Sequence, residues 1–272
     1  MKRFSDIAHL PEEEIELAEA ALLVAKEQYP DLDVSSYLTK LDEMGERARL
    51  RVGQVVGGRQ IIEGLNNYLF KEEGFHGNVE DYYSPTNSFL NDVLDHRTGI
   101  PITLSVIYIE TGRRAGIPLQ GVAFPGHFLV KYSNEGEEIV LDPFHQGRIL
   151  SEKDCSEQLR RMFGEKLRFD KKLFRAATKK EVLTRMLTNL KAIYTTRKDF
   201  EKALRMISHI VSLNPKASQE IKERGILYTQ IGCYQQAIED FKNYLVCEPG
   251  AVDREIIEQY MRELSAKVPS VH

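Results

Sequence analysis

Apolar residues recur at helical spacing through the first hundred positions. From Glu12 to Gln28 they fall at Ile15, Leu17, Ala18, Ala21, Leu22 and Ala25, with acids at the start, where a helix dipole favours them. Pro30-Asp31 breaks that segment. A second amphipathic stretch carries Tyr37, Leu38, Leu41, Met44, Ala48 and Val52, and a third, over residues 59–73, carries Ile61, Ile62, Leu65, Tyr68 and Leu69. Ser84-Pro85 reads as an N-cap followed by a first-turn proline, opening a helix with Phe89, Leu90, Val93 and Leu94 on it. Ile100–Ile109 is apolar on every side, which predicts a buried helix. Pro101 marks its start, and Gly116 and Pro118 its end.

Beyond this point the period changes. Leu119–Phe124, His127–Tyr132 and Glu138–Asp142 are short, rich in aliphatic and aromatic residues, and separated by Pro125-Gly126 and by Ser133-Asn134-Glu135-Gly136. They predict a small antiparallel sheet. With Ser133–Gly136 as the hairpin loop, Tyr132 faces Glu137 and His127 lies directly opposite Asp142 on the same face. An imidazole beside a carboxylate has its tautomer fixed and its basicity raised. The same pair also serves as a plain tie between two strands, and pattern alone does not choose. Residues 151–175 read as a helix and a linker.

The tail repeats. Shifted by 34 residues, Tyr194 falls on Tyr228, Phe200 on Tyr234, Ala203 on Ala237 and Pro215 on Pro249. That is the tetratricopeptide period, with Tyr, Ala and Pro in the places that repeat assigns them. The alanines mark close helix crossings and the prolines end the second helix of each pair. Thr178 and Glu181 form a capping box opening the first pair, and a last helix carries Ile257, Tyr260, Met261 and Leu264 on one face. The expected organisation is a mixed domain over residues 1–175 and two repeats with a capping helix over residues 176–272. Two repeats alone bury little surface, so they are expected to pack on the first domain. Limited proteolysis near residues 165–178 checks this: release of a stable tail would contradict it.

Composition narrows the functional classes. With 37 basic and 41 acidic side chains the net charge is −4, which lacks the basic footprint of nucleic-acid binding. Cys155, Cys233 and Cys247 are scattered, with no CxxC pair, which suits a reducing compartment. Ala20–Ala25 is too short for the core of a signal peptide, and no run approaches the ~18 residues of a membrane span. The expectation is a cytoplasmic protein without membrane attachment.

Other candidate sites are weaker. His127, Asp142 and His145, with His76 from its loop, are conceivable metal ligands, but Asp-x-x-His is loose spacing and no ligand signature accompanies it. Neither a metal nor another cofactor is expected. Gly57-Gly58 and Gly74-Phe75-His76-Gly77 are not phosphate loops, because neither follows a strand with Lys-Ser/Thr behind it. Arg113-Arg114 reads as the cationic end of a helix. On the first helices of the repeats, Arg185, Asn189 and Lys222 are candidates to line a concave face that holds an extended peptide or acidic terminus, or to form a solvated helix surface.

Four stretches carry a family resemblance: Asn87-Ser88-Phe89-Leu90, Arg97-Thr98-Gly99-Ile100-Pro101-Ile102-Thr103-Leu104-Ser105, Phe124-Pro125-Gly126-His127-Phe128-Leu129-Val130 and Leu141-Asp142-Pro143-Phe144. Over residues 35–265 the chain resembles the SirB-type family of bacterial proteins, which join a transglutaminase-like core to C-terminal tetratricopeptide repeats. The resemblance implies a papain-like α+β fold, with a central helix packed on a small antiparallel sheet and helices ahead of it. In active transglutaminase-like enzymes a nucleophilic cysteine starts that helix, where the N-terminus stabilises the thiolate. His127 and Asp142 match the family's His and Asp, but Pro101 stands at the cysteine position. Thr103 lies ~200° round the helix, and Ser105 is on nearly the same face but one turn (~6 Å) deeper. Ser105 is therefore a weak substitute nucleophile, and Cys155 belongs to no recognisable motif. The resulting expectation is a non-catalytic binding or scaffold protein whose repeats recruit a protein or peptide partner. The alternative is a cryptic hydrolase or acyltransferase acting on a peptide or amide, with His127 as base, Asp142 orienting it, and Ser105 or water as nucleophile.

Overall fold

The computed structural model describes residues 3–55 and 57–268. The chain divides into two compact units. One is Leu10–Met186; the other joins Phe4–His9 to the chain from Leu187 onward. The dividing point falls inside a single helix, Lys179–Thr196.

In the first unit, the helices Leu17–Gln28, Val34–Val52 and Gly58–Asn66 precede the core. The first starts later than its apolar pattern, because Glu12–Glu14 form a separate 3-10 turn behind Pro11. Val34–Val52 is capped by Asp33, whose carboxylate accepts from Ser35 N and Ser36 N. The segment expected as one helix over 59–73 switches at Asn67 into a π-helical turn, Asn67–Glu72. Pro85 begins a 3-10 turn, Pro85–Ser88, and the helix after it is Leu90–His96. Thr98–Gly99 (β2) pairs in parallel with His76–Gly77 (β1), a bridge too short to leave a periodic signal.

The central helix is Pro101–Arg114, and every side chain from Pro101 to Gly112 is buried. Leu119–Val122 (β3), Leu129–Asn134 (β4), Glu137–Asp142 (β5) and Arg148–Leu150 (β6) form an antiparallel sheet in chain order. The helix packs on β3, on β4 and on the turn that follows β5. Cys155 and Leu159 of the helix Glu152–Phe163 add a further apolar cluster with Val122, Phe124, Leu129 and Val140.

The hairpin register differs from the expected one. Asn134 pairs with Glu137, and Tyr132 with Ile139 rather than Glu137. The turn has two residues, Glu135 and Gly136, at φ 49° and 85°, the type I′ geometry that matches strand twist. Taking all of Ser133–Gly136 as loop displaces the register by two, and a displacement of two leaves every side chain on its face.

The second unit contains the repeat helices: the end of Lys179–Thr196, then Phe200–Leu213, Ser218–Gln230, Tyr234–Cys247 and Arg254–Ser265. Ala203 and Ala237 are both fully buried at the expected crossings. Gly225 is a further close approach, since a Cβ there would lie 2.8 Å from the Phe241 ring. Among the described residues, no helix is long and apolar enough to cross a membrane.

Candidate functional site

His127 is placed by a turn and Asp142 by the end of a strand. In Phe124–His127 the His127 amide donates to the Phe124 carbonyl at 3.0 Å, and Gly126 takes φ 71° behind Pro125. Proline followed by a left-handed glycine is the composition of a type II turn. His127 thus stands just before β4 and is not in cross-strand register with Asp142, the last residue of β5. The two meet nonetheless: His127 Nε2 donates to Asp142 Oδ2 at 2.8 Å. Both residues are buried, at 9% and 3% exposure.

Asp142 has three donors. Its Oδ1 accepts from Phe144 N at 3.0 Å, which caps the 3-10 turn Pro143–His145. Its Oδ2 accepts a second imidazole, His145 Nδ1, at 2.7 Å. Burial pushes this carboxyl upward, but the hydrogen bonds and charges of His127 and His145 outweigh it and hold the group below the usual carboxylate range. With Nε2 donating, a neutral His127 carries its lone pair on Nδ1, which has no hydrogen-bond partner among the described residues. The Phe144 ring stands edge-on to His127 at 6.3 Å and to Tyr82 at 6.1 Å. Gly77 admits Phe144, since a Cβ would come within 2.6 Å of that ring.

The loop behind the site is pinned from a distance. Asn66, where the helix Gly58–Asn66 turns π-helical, donates to Gly147 O at 2.9 Å and accepts Tyr108 OH of the central helix at 2.9 Å. Gln146 and Gly147 both take positive φ, at 55° and 71°. Asp142 and His145 border an open cleft of about 340 Å³ whose other walls include Arg148, Asp154, Arg161 and Met162. Arg148 is paired with Asp154 at 2.6 Å.

Pro101 is the first residue of the central helix, as its place in the chain suggests. Thr103 caps that helix: its Oγ1 accepts from Ile100 N at 3.1 Å and donates to Asn87 O at 2.7 Å. Asn87, also buried, donates in turn to the Asp81 carbonyl at 2.6 Å and accepts from Asn78 Nδ2 at 3.1 Å. This strap from the 78–87 segment to the helix start leaves no periodic signal in the sequence. Ser105 is fully buried and its Oγ makes no hydrogen bond among the described residues. Cys155 is buried, and burial with the nearby Asp154, Asp142 and Glu152 pushes its thiol up to about 11. His76 does not join the cluster: Nδ1 meets Gly74 O at 3.0 Å and Nε2 meets Thr98 Oγ1 at 3.2 Å. Arg185 and Asn189 are half-buried on the helix Lys179–Thr196. Lys222 is engaged by Asp253 at 3.1 Å and lies 4.9 Å from the Tyr244 ring centre.

A helix started at Pro101, a four-stranded antiparallel sheet and a His–Asp pair at the ends of its two middle strands define a transglutaminase-like core followed by tetratricopeptide helices. Comparison with known proteins agrees: residues 35–188 match the Transglutaminase-like superfamily, and residues 190–262 match the Tetratricopeptide repeat. The chain belongs to the UPF0162 family, the SirB-type proteins. It is 35% identical to the UPF0162 protein of Xylella fastidiosa (strain Temecula1), across 99% of this chain and 97% of that one. It is 27% identical to the Vibrio cholerae UPF0162 protein, across 92% and 93%. A shorter match, 34% identical over 139 residues, is to human F-box only protein 21 and covers 48% of this chain and 21% of that protein. No solved structure matches.

Proposed function

We propose that this is a non-catalytic binding or scaffold protein: a transglutaminase-like core that keeps its His–Asp pair without a nucleophile, carrying repeats that recruit a protein or peptide partner. The observation that carries this is Pro101 at the first position of the central helix, where the family's enzymes place the attacking thiol. No neighbouring group takes over that role. Thr103 is committed to the cap, Ser105 is sealed in the core, and the Cys155 thiol is buried with its pKa raised. Tetratricopeptide helices supply concave surfaces of the kind that bind proteins and peptides.

One observation favours a second reading. The lone pair at His127 Nδ1, backed by Asp142 on the opposite nitrogen, suits a base that activates water, with no covalent intermediate. That would be a hydrolase or acyltransferase acting on a peptide or amide. The native protein and His127→Ala are to be compared on a panel of amide, peptide and ester substrates, with thermal unfolding run alongside. The expected outcome is no turnover that depends on His127. A turnover abolished in a stably folded His127→Ala would replace the binding reading with the hydrolytic one.

A further inference from the structure

Three ligand-type side chains come together at this site although the chain shows no metal signature. One ring nitrogen of His127, one of His145 and a carboxylate oxygen of Asp142 all lie within 4.8 Å of one another. We propose that this trio binds a borderline divalent transition ion, Zn²⁺ by preference, with a coordination position left open toward the cleft. This holds whether or not the cleft catalyses anything.

The donor set fits that class of ion. Two imidazoles and one carboxylate suit zinc, whereas calcium and magnesium take mostly oxygen. The two imidazole–carboxylate distances are close to those needed, and the two imidazole nitrogens lie within 4.8 Å of each other. A tetrahedral ion with bonds of about 2.0–2.1 Å sets its ligand atoms roughly 3.3 Å apart. Here the imidazole–carboxylate separations are 2.8 and 2.7 Å. Opening each by about half an ångström, with the ring proton moved from Nε2 to Nδ1 in His127 and from Nδ1 to Nε2 in His145, would convert the shared hydrogen bonds into metal bonds.

The mobility this needs is on one side only. His145 has a side chain 63% exposed on a short turn, while those of His127 and Asp142 are nearly enclosed. The fixed members provide the floor of the site and His145 closes it. Asp142 is already oriented from behind, because Phe144 N holds Oδ1 and leaves Oδ2 as the presented atom. Asp142 and His145 border the open cleft, which gives an ion and its remaining water a way in. No described residue accepts from the Nδ1–H that a metal-bound His127 would carry. The site therefore lacks one supporting contact, which weakens binding about 10–100-fold relative to a fully supported site.

The test is titration of the full-length, tag-free chain with Co²⁺, read by the visible d–d absorption of a low-coordinate ion and then by its displacement with Zn²⁺. Absorption that saturates with one equivalent, is lost at least tenfold in affinity in His145→Ala and is unchanged in His76→Ala is the expected result. Because His145 is exposed, that variant should fold, and far-UV circular dichroism confirms it. Absence of the absorption, its persistence in His145→Ala, or equal loss in His76→Ala would each overturn the assignment.

Discussion

At the scale of single residues, Asp142 is where the site's energetics concentrate. One buried carboxylate accepts two imidazoles and a backbone amide. Its pKa is lowered in the folded chain. The stabilisation this represents is therefore present at and above the unfolded value of about 3.9, and is lost as pH falls through the lowered folded value. Asp142→Asn keeps the shape and removes the charge. It should lower stability to urea by roughly 1.5–3 kcal/mol at neutral pH. The gap to the native protein should narrow as pH falls below the unfolded value of about 3.9 and close only beneath the lowered folded value, where both chains are neutral at this position. A gap that stays constant into acid would mean that the carboxylate's charge is not what ties the two histidines. The meeting of His127 with Asp142 is expected from a strand register that the hairpin does not have, and it is the turn at Pro125-Gly126 that delivers His127 to the end of β5. The claim of His145 on the same oxygen was not legible in the sequence, because it depends on the tight turn after Pro143.

At the scale of elements, the turns decide which side chains meet. The Glu135-Gly136 turn displaces the hairpin by two residues from the register read off the polar loop, and the face is preserved because strand periodicity is two. The loop that follows the site depends on Gly147, where a side chain meets two obstacles. Its φ is 71°, and a Cβ would run into the Asn66 side chain. Gly147→Ala should cost roughly 2–4 kcal/mol, combining left-handed strain with overpacking. It should also change the chemical shifts of the His145 ring, observed by NMR. If stability and the ring resonances are both unchanged, Asn66 does not brace this loop. The π-helical turn at Asn67–Glu72 and the β1–β2 bridge left no sequence signal, since a two-residue strand has no period to detect.

At the scale of the whole molecule, the compact units do not follow the order of the chain. The short helix Phe4–Ala8 belongs with the repeats, where Phe4 lies 4.6 Å from the His209 ring and is 2% exposed. Phe4→Ala should remove about 3–5 kcal/mol from that unit. Hydrogen exchange reads the effect: amides of Phe200–Leu213 should lose protection while those of the sheet Leu119–Leu150 keep it. Equal loss in both regions, or in neither, would contradict the assignment of this helix to the repeat unit.

The sequence by itself determined the class of each part. A 34-residue period with small residues at crossings and prolines at ends specifies stacked helix pairs. An apolar run begun by proline specifies the buried helix. These are local or periodic properties, carried by residue type and spacing. Only the tertiary structure decided that His145 joins His127 on one carboxylate oxygen, that Asn87 straps a loop to the helix start, and that the N-terminal helix sits with the repeats. Each of these joins residues through turns with positive φ or across stretches of chain far longer than any local pattern, and such closures are set by packing, which no period along the chain records.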